Sequence, residues 1–455
     1  MQSTEFQNTL YTYDNLYVLH GMNSEIADLI YLDPPFNSKR MYSGAIGSKA
    51  AGTSFKDMWT WKDIDESHLE TLTQLHPSLV KFIESIEGLH GKAMMSYILY
   101  MAQRLIELHR ILKDTGSIYL HCDPTASHYL KSLMDYVFGK NNFRNEIVWA
   151  YRKWTNAASY FQKNHDVILC YSKNHKRIFF NKLYDTPAES QQKVVDKGYN
   201  VNKVADGLQL LIYNKKIVDD LIAQGKINTS KYIRIVDKSN SDGTAMNDVW
   251  NIQYLHSQAK ERMGYPTQKP LALLHRIIKV SCPKGGVVLD PFCGCATTCV
   301  AAQQLGRKWV GIDIEKKAVE ILVERLEGDG HIESDSQQGL KFKEKGVDFI
   351  HLVKPLQRTD IKIEEITSET KVGIKNRLFK QQECRCNGCT DIFEIHHFEI
   401  DHIIPKAKGG ADYFENYQLL CGHCNKTKGA RPMEYLRMKI QRRRELLNQV
   451  VTFGE

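Results

Sequence analysis

No stretch of this 455-residue chain approaches the roughly 18 consecutive apolar residues that a membrane-crossing helix requires. The opening residues, MQSTEFQNTLYTYDNLYVLH, lack both the basic region and the apolar region of a secretion signal. Together these absences lead us to expect a cytoplasmic protein with no membrane partner. Internal repeats and low-complexity tracts are also missing, which leaves ordinary globular domains. A length of 455 residues allows two or three of them, at roughly 100–200 residues each. Neither sign of charge runs far ahead of the other. The excess of +8 leans only mildly toward a polyanionic partner. Hydrophobic residues make up 42% of the chain, enough to bury a full core.

Cysteine is present but unevenly spread. Five of the 11 residues (Cys384, Cys386, Cys389, Cys421 and Cys424) crowd into one C-terminal stretch. In a reducing compartment such clustering points to metal binding rather than to disulfides. Up to about residue 334, apolar runs such as DLIYL, GSIYLH, DVILCYS, GVVLD and KWVGID alternate with longer periodic segments. That alternation predicts an open, mostly parallel α/β sheet. The polar stretch at about 155–247 interrupts it and reads as an insertion. Residues 335–378 turn charged and read as a connector, and 379–455 hold the cysteine cluster and a basic tail.

The stretch GGVVLDPFCGCATTCVAAQQLGRKWVGIDI, residues 285–314, has the form strand, tight turn, helix, strand. Asp290 and Asp313 close the two strands, and Asp313 follows Asp290 by 23 positions. That is near the roughly 20-residue offset at which an acid meets ribose hydroxyls. Phe292, Gly294 and Ala296 form the turn, and ligands bind where such turns open at a sheet's carboxyl edge. Cys293, Cys295 and Cys299 have no partner at ligand spacing and read as packed thiols.

Two motifs then name a family. DPPF at 33–36 and DPFCGCATT at 290–298 resemble the catalytic and cofactor motifs of amino-group DNA methyltransferases. YPTQKPLALLHRII at 265–278 resembles the segment that precedes the cofactor turn. The catalytic motif comes first here, as in the circularly permuted β class. The resemblance implies a Rossmann-like, S-adenosylmethionine-dependent fold over 1–334, with the 155–247 insertion recognising the target. It implies that Asp290, Phe292, Gly294 and Asp313 hold the cofactor, with Thr267 and Lys269 closing over its methionine end. Two departures stand out: Ala296 replaces a third glycine, and Met22 replaces an acid that meets adenine, a role left to Asn23.

DPPF suits methylation of an exocyclic amino nitrogen, whose lone pair is delocalised into the base ring. Two acceptors that grip both amino hydrogens free that lone pair. Asp33 supplies a carboxylate and Pro34 a carbonyl, with Pro34 and Pro35 fixed near φ −65°. Phe36 offers a stacking face for a base that has left the duplex. Asp33 is expected to find its partner in that base, and Lys39 and Arg40 are placed to meet phosphate. Aspartate at the first position favours adenine N6 over cytosine N4, and duplex DNA is the expected partner.

The C-terminal stretch 384–429 carries Cys386-x₂-Cys389 and Cys421-x₂-Cys424. Two such knuckles suit one tetrahedral structural zinc. With IDHIIP, FEN and CNKTKG, the stretch resembles an HNH endonuclease of the ββα-metal type. That resemblance makes His402 the general base, with Asn416 orienting it. It makes Asp401 and Asn425 ligands of a catalytic divalent metal such as Mg²⁺. His396 and His397 fit neither set and are expected on opposite faces of a strand. From Lys426 to Arg444 eight basic residues face one acid, Glu434, which fits phosphate contact. The sequence leaves the oligomeric state open, a homodimer included.

Overall fold

The computed structural model describes residues 8–36, 40–43, 54–57, 72–152, 161–184, 199–225, 233–237, 245–325, 331–360 and 368–452, apart from short gaps within them. They form two compact units, Met1–Phe179 with Asn251–Glu455, and Phe180–Trp250.

In the first unit the elements that position the site run as follows. β1 (Asn8–Thr12) leads into α1 (Asn15–Gly21) and β2 (Ala27–Leu32). The 20-residue α2 (Lys92–Ile111) feeds β3 (Leu112–Cys122), followed by β4 (Phe143–Ala150) and β5 (His165–Ser172). After the second unit come α3 (Leu271–Ser281), β6 (Val287–Asp290), α4 (Thr297–Gln304), β7 (Lys308–Asp313) and β8 (Val347–Leu352). These strands lie side by side in the order β4-β5-β3-β2-β6-β7-β1-β8. From β3 to β8 neighbours pair parallel; β5 pairs antiparallel with β3 and β4.

Burial explains the pattern. All six residues of β2 are buried, as expected of an interior parallel strand covered on both faces. Leu29, Ile30 and Leu32 are fully enclosed, each contributing about 1.5–3 kcal/mol. Asp28 Oδ2 accepts from Val287 N–H at 2.8 Å and from Lys113 Nζ at 2.7 Å. These bonds pin β2, β6 and β3 at their amino ends. The motif order is permuted as expected: β2 precedes β6 by more than 250 residues, yet they are neighbours (Val288 beside Leu29, Leu289 beside Ile30). The chain leaves β2 toward β3 and leaves β6 toward β7, in opposite directions. That divergence makes their carboxyl ends a topological switch point.

The second unit is a three-stranded antiparallel sheet of Tyr199–Ala205, Leu208–Tyr213 and Ile233–Asp237, with a helix at Lys215–Ala223. It begins later than the expected 155: His165–Ser172, the DVILCYS run already counted among the sheet strands, joins the main sheet as β5. The expected connector at 335–378 also differs. β8 lies inside it and pairs parallel with β1, Phe349 beside Asn8. Its last quarter opens α5 (Ser368–Gln381), whose Ile374 and Leu378 enter the C-terminal core. The strand-like run VDFIHLV is visible in the sequence, but the surrounding charge makes the stretch read as a connector.

That C-terminal core packs α5 against a hairpin of β9 (Phe398–His402) and β10 (Tyr417–Cys421). The short α6 (Gly422–Lys428) and the long α7 (Met433–Thr452) complete it through Cys424, Met433 and Leu436. Among the described residues no helix is long and apolar enough to cross a membrane.

Candidate functional site

The carboxyl ends of β1, β2, β6 and β7 open onto a cavity of about 340 Å³. Its lining includes Asp33, Pro34, Pro35 and Phe36, together with Thr267, Lys269, Asp290, Phe292, Gly294 and Asp313. The expected catalytic and cofactor residues therefore meet in one place, although they lie at both ends of the sequence.

The turn after β6 is built from its own polar groups. Asp290 Oδ1 accepts from Phe292 N–H at 3.0 Å, and Cys293 N–H donates to Ile312 O at 3.0 Å. Asp313 accepts twice, from Gly294 N–H at 2.7 Å and Glu315 N–H at 2.8 Å. Gly294 has φ +51°, and a Cβ there would stand 3.0 Å from the Tyr265 ring, so glycine keeps this backbone open to the cavity. Ala296 holds φ +56° just before α4, so the third-glycine position keeps the left-handed conformation at a cost of about 1–2 kcal/mol. Thr267, β-branched, is also left-handed at φ +62°. Such strain concentrates at functional sites and costs about 1–3 kcal/mol.

Burial lifts the Asp290 carboxyl from 3.8 to about 7; Asp33 and Asp313 add to the rise, and hydrogen bonds from Thr298 and Phe292 N–H oppose it. Burial likewise lifts Asp313 to about 6, against the N–H groups of Glu315 and Gly294.

Asp33 does not wait for its partner. Lys269 Nζ sits 2.5 Å from Asp33 Oδ2 and 5.5 Å from the Phe36 ring centroid. Lys269 is 8% exposed. This corrects one expectation, since Asp33 is paired within the chain, and adds to another: Lys269 lines the cavity as expected and also bonds the Asp33 carboxylate. The adenine role left to Asn23 also falls away. Asn23 lies past the far end of α1 and bonds Thr359, and Met22 is buried. The cavity is lined instead by Asp14 and Asn15 at the start of α1. Buried Arg104 holds both, its Nε 2.6 Å from Asn15 Oδ1 and its Nη2 3.2 Å from Asp14 Oδ1. Asn15 Nδ2 in turn donates to Pro291 O at 2.8 Å. Their one sequence signal was an acid at the end of a strand. Lys39 lies outside the described residues.

A second cavity of about 400 Å³ adjoins the first. They share Phe36, Tyr265, Thr267, Gln268 and Lys269; the second adds Trp149, Tyr151, Asp166, Tyr254, Leu255 and Arg262.

In the C-terminal region the Sγ atoms of Cys386, Cys389, Cys421 and Cys424 all lie within 4.8 Å of one another. Cys384 stands outside this group. Backbone N–H groups of Gly388 and Cys421 donate to Cys386 Sγ at 3.4 and 3.2 Å. Hydrogen bonding from Cys424 pulls the Cys386 thiol down to about 5. Four converging sulfurs, one already favouring thiolate, fit a tetrahedral zinc.

His402 Nε2 lies 2.8 Å from Asp412 Oδ1, and Asp412 also takes Lys406 Nζ at 2.5 Å and the Tyr417 hydroxyl at 3.1 Å. The residue bonded to the His402 ring is thus Asp412, not Asn416. Buried Asn416 clamps the loop instead, with Oδ1 accepting from Ile404 N–H at 2.8 Å and Nδ2 donating to Ile404 O at 3.1 Å. Asp401 Oδ2 accepts from Gln418 Nε2 at 2.8 Å and pairs with the enclosed ammonium of Lys428 at 2.9 Å. Asn425 Nδ2 donates to Glu399. These donors are hard oxygens, which suit a hard divalent cation, but a cationic ammonium already rests on Asp401. His396 and His397 occupy a short 3₁₀ turn with ring centroids 4.0 Å apart, rather than opposite faces of a strand.

Residues 27–324 match the DNA methylase family profile. The chain belongs to the DNA methylase family. Residues 386–431 match the HNH endonuclease profile, so the methylase carries both domains in one chain. It is 29% identical over 328 residues to Type II methyltransferase M.EcaI of Enterobacter cloacae, covering 66% of this chain and 64% of that protein. It is 26% identical over 343 residues to the Type III restriction-modification enzyme StyLTI Mod subunit of Salmonella typhimurium, covering 66% and 50%. It is 25% identical over 352 residues to DNA adenine methyltransferase YhdJ of Escherichia coli, covering 76% and 92%. The methylase therefore spans about half to two thirds of the length of the first two.

S-adenosylmethionine fits the first cavity on the chemistry of its lining: an open glycine turn, two buried carboxyls and the aromatic Phe292 and Tyr265. A carboxyl with a raised folded pKa binds its proton more tightly folded than unfolded, so the ligand-free methylase loses stability as pH climbs from about 4 through 7. A ligand carrying sulfonium and ammonium charges favours the ionised acids. Its affinity is expected to rise between about pH 5 and 7.5, by up to about tenfold per unit for each acid that ionises on binding, as titration calorimetry would measure. A flat profile would show that neither acid faces the ligand.

Proposed function

We propose that this protein methylates the exocyclic amino group of an extrahelical base in duplex DNA, most specifically adenine N6, and that its HNH domain cleaves DNA. The observation that carries the first part is the meeting of Asp33 and Pro34 with the glycine-turn acids at one switch point, on adjacent strand ends.

S-adenosylmethionine supplies the activated methyl when bound. The chain's own residues orient the nucleophile. Lys269 bonds Asp33 Oδ2, which assigns Oδ1 to one amino hydrogen; the Pro34 carbonyl takes the other. The ion pair fixes the carboxylate before the base arrives, so little reorganisation is left for the reaction. Phe36 stacks with the base. Asp290, Gly294 and Asp313 hold the cofactor's polar groups, and Thr267 closes the cavity between the two. Adenine is favoured by aspartate at the head of the motif and by the likeness to a DNA adenine methyltransferase.

For cleavage, His402, oriented by Asp412, would activate water; Asp401 and Asn425 would hold a divalent cation such as Mg²⁺, which would supply offsetting charge for the scissile phosphate. One observation favours a second reading, in which the HNH module binds DNA without cutting it: Lys428 already neutralises Asp401.

Both parts are tested together. The His402→Ala chain is expressed in a bacterial host and its genome read for methylated bases. N6-methyladenine in one recurring context is expected; N4-methylcytosine would move the target, and an unmodified genome would refute the methyltransferase. Purified wild-type protein with Mg²⁺ is expected to nick DNA, and His402→Ala to lose at least about 10²-fold of that rate. Equal nicking by both would remove His402 from the role.

A further inference from the structure

We propose that His121 and Asp166 are positioning residues for methyl transfer, fixing the Phe36 ring against which the base stacks; this rests on the methyltransferase reading above. His121, on β3, is fully buried. Its Nδ1 lies 3.1 Å from the Tyr31 hydroxyl on β2, and its Nε2 lies 3.2 Å from Asp166 Oδ2 on β5. A carboxylate only accepts, so Nε2 carries the proton of that bond. The other oxygen, Asp166 Oδ1, accepts from the Tyr151 hydroxyl at 3.0 Å. Burial raises the Asp166 carboxyl, but the bond and charge of His121 outweigh it and hold the group down at about 2. It is ionised throughout the working range.

This chain of four side chains meets the proposed catalytic motif through His121. The His121 ring stacks on Phe36 with centroids 5.6 Å apart and planes at 28°. It meets Trp149 edge-on at 5.5 Å. Phe36, Trp149, Tyr151 and Asp166 all line the second cavity, the one contiguous with Asp33 through Lys269. His121 does not line it and so supports Phe36 from behind. A hydrophobic core gains nothing from a histidine and a carboxylate here, because apolar residues of the same volume fill such a space as well or better. A fully satisfied polar chain does something apolar packing does not: it permits one ring orientation. Phe36 follows two prolines at a strand end, where no ladder fixes its side chain. His121 supplies that constraint.

Asp166→Asn tests it, because the shape is kept while an amide has one acceptor oxygen for two donors, His121 and Tyr151. The full chain is used with His402→Ala, so that the DNA survives. The expected result is a fall in kcat of about 10–100-fold, the scale of a small misplacement at a reacting centre, with KM for S-adenosylmethionine and for DNA unchanged. Tyr151→Phe, which removes one hydroxyl, should lower kcat less and in the same KM-independent way. If both variants keep the parent kcat while their melting temperatures fall, the chain is merely structural and the proposal is overturned. Should Asp166→Asn not fold, an unchanged kcat in Tyr151→Phe overturns it alone. A parent chain without methyl transfer would instead refute the underlying reading, and the parent arm tells the two failures apart.

Discussion

Asp33→Asn is expected to lower methyl transfer by about 10³-fold while leaving S-adenosylmethionine binding intact, the scale seen when one preorganised polar group is removed from a reacting centre. The amide keeps an acceptor oxygen, so a base can still be held. It loses the charge that draws the amino nitrogen toward tetrahedral geometry, and it loses the ion pair with Lys269. Asparagine is a better probe than alanine. Lys269 is nearly enclosed, and alanine would leave its ammonium with neither charge nor acceptor at position 33, whereas the asparagine oxygen still accepts from it. Incorporation of tritiated methyl into DNA measures the first effect and calorimetry the second. Transfer at the wild-type rate would take Asp33 out of the chemistry; loss of cofactor binding would assign it to holding S-adenosylmethionine rather than the base.

The two halves of this site were unequally legible. DPPF and the glycine turn each lie on a continuous stretch, and each states its strand, its breaker and its acid in order. Their meeting followed from the parallel-sheet pattern, because residues at the carboxyl ends of neighbouring strands converge. Lys269 and Asp33 are 236 positions apart, and no periodicity links a loop lysine to one particular carboxylate. His121 and Asp166 were hidden differently. Each sits in an apolar strand run, where a lone polar residue reads as a satisfied core group, and the antiparallel register that sets them side by side is not written in either run. In the HNH region the residue types were readable but one role was not. Asn416 braces backbone, and Asp412, in a loop without any motif letter, takes the histidine. β8 escaped as a sheet member because the charged residues around it dominate composition over that window.

Removing zinc is expected to unfold the C-terminal module while methyl transfer continues. Four thiols within 4.8 Å converge from both sides of the β9–β10 hairpin. Cys386, Cys421 and Cys424 themselves form part of its small core. A core of this size supplies at most about 3–5 kcal/mol, whereas a four-cysteine zinc site contributes on the order of 10 kcal/mol of coupled binding and folding. Without the metal the hairpin keeps four polar sulfurs facing one another and little apolar burial in exchange. Cys424→Ser, or prolonged chelation, should therefore release one zinc per chain by elemental analysis. It should expose 368–452 to protease and abolish nicking. The cofactor cavity is built from β1, β2, β6 and β7, none of which holds a zinc ligand, so methylation should stay within about twofold, the spread expected of independent sites. A module that stays protease-resistant after all metal is lost would show that its core suffices. A parallel loss of methylation would show that the two domains fold as one cooperative body, with the HNH hairpin a structural part of the methyltransferase rather than an attached nuclease.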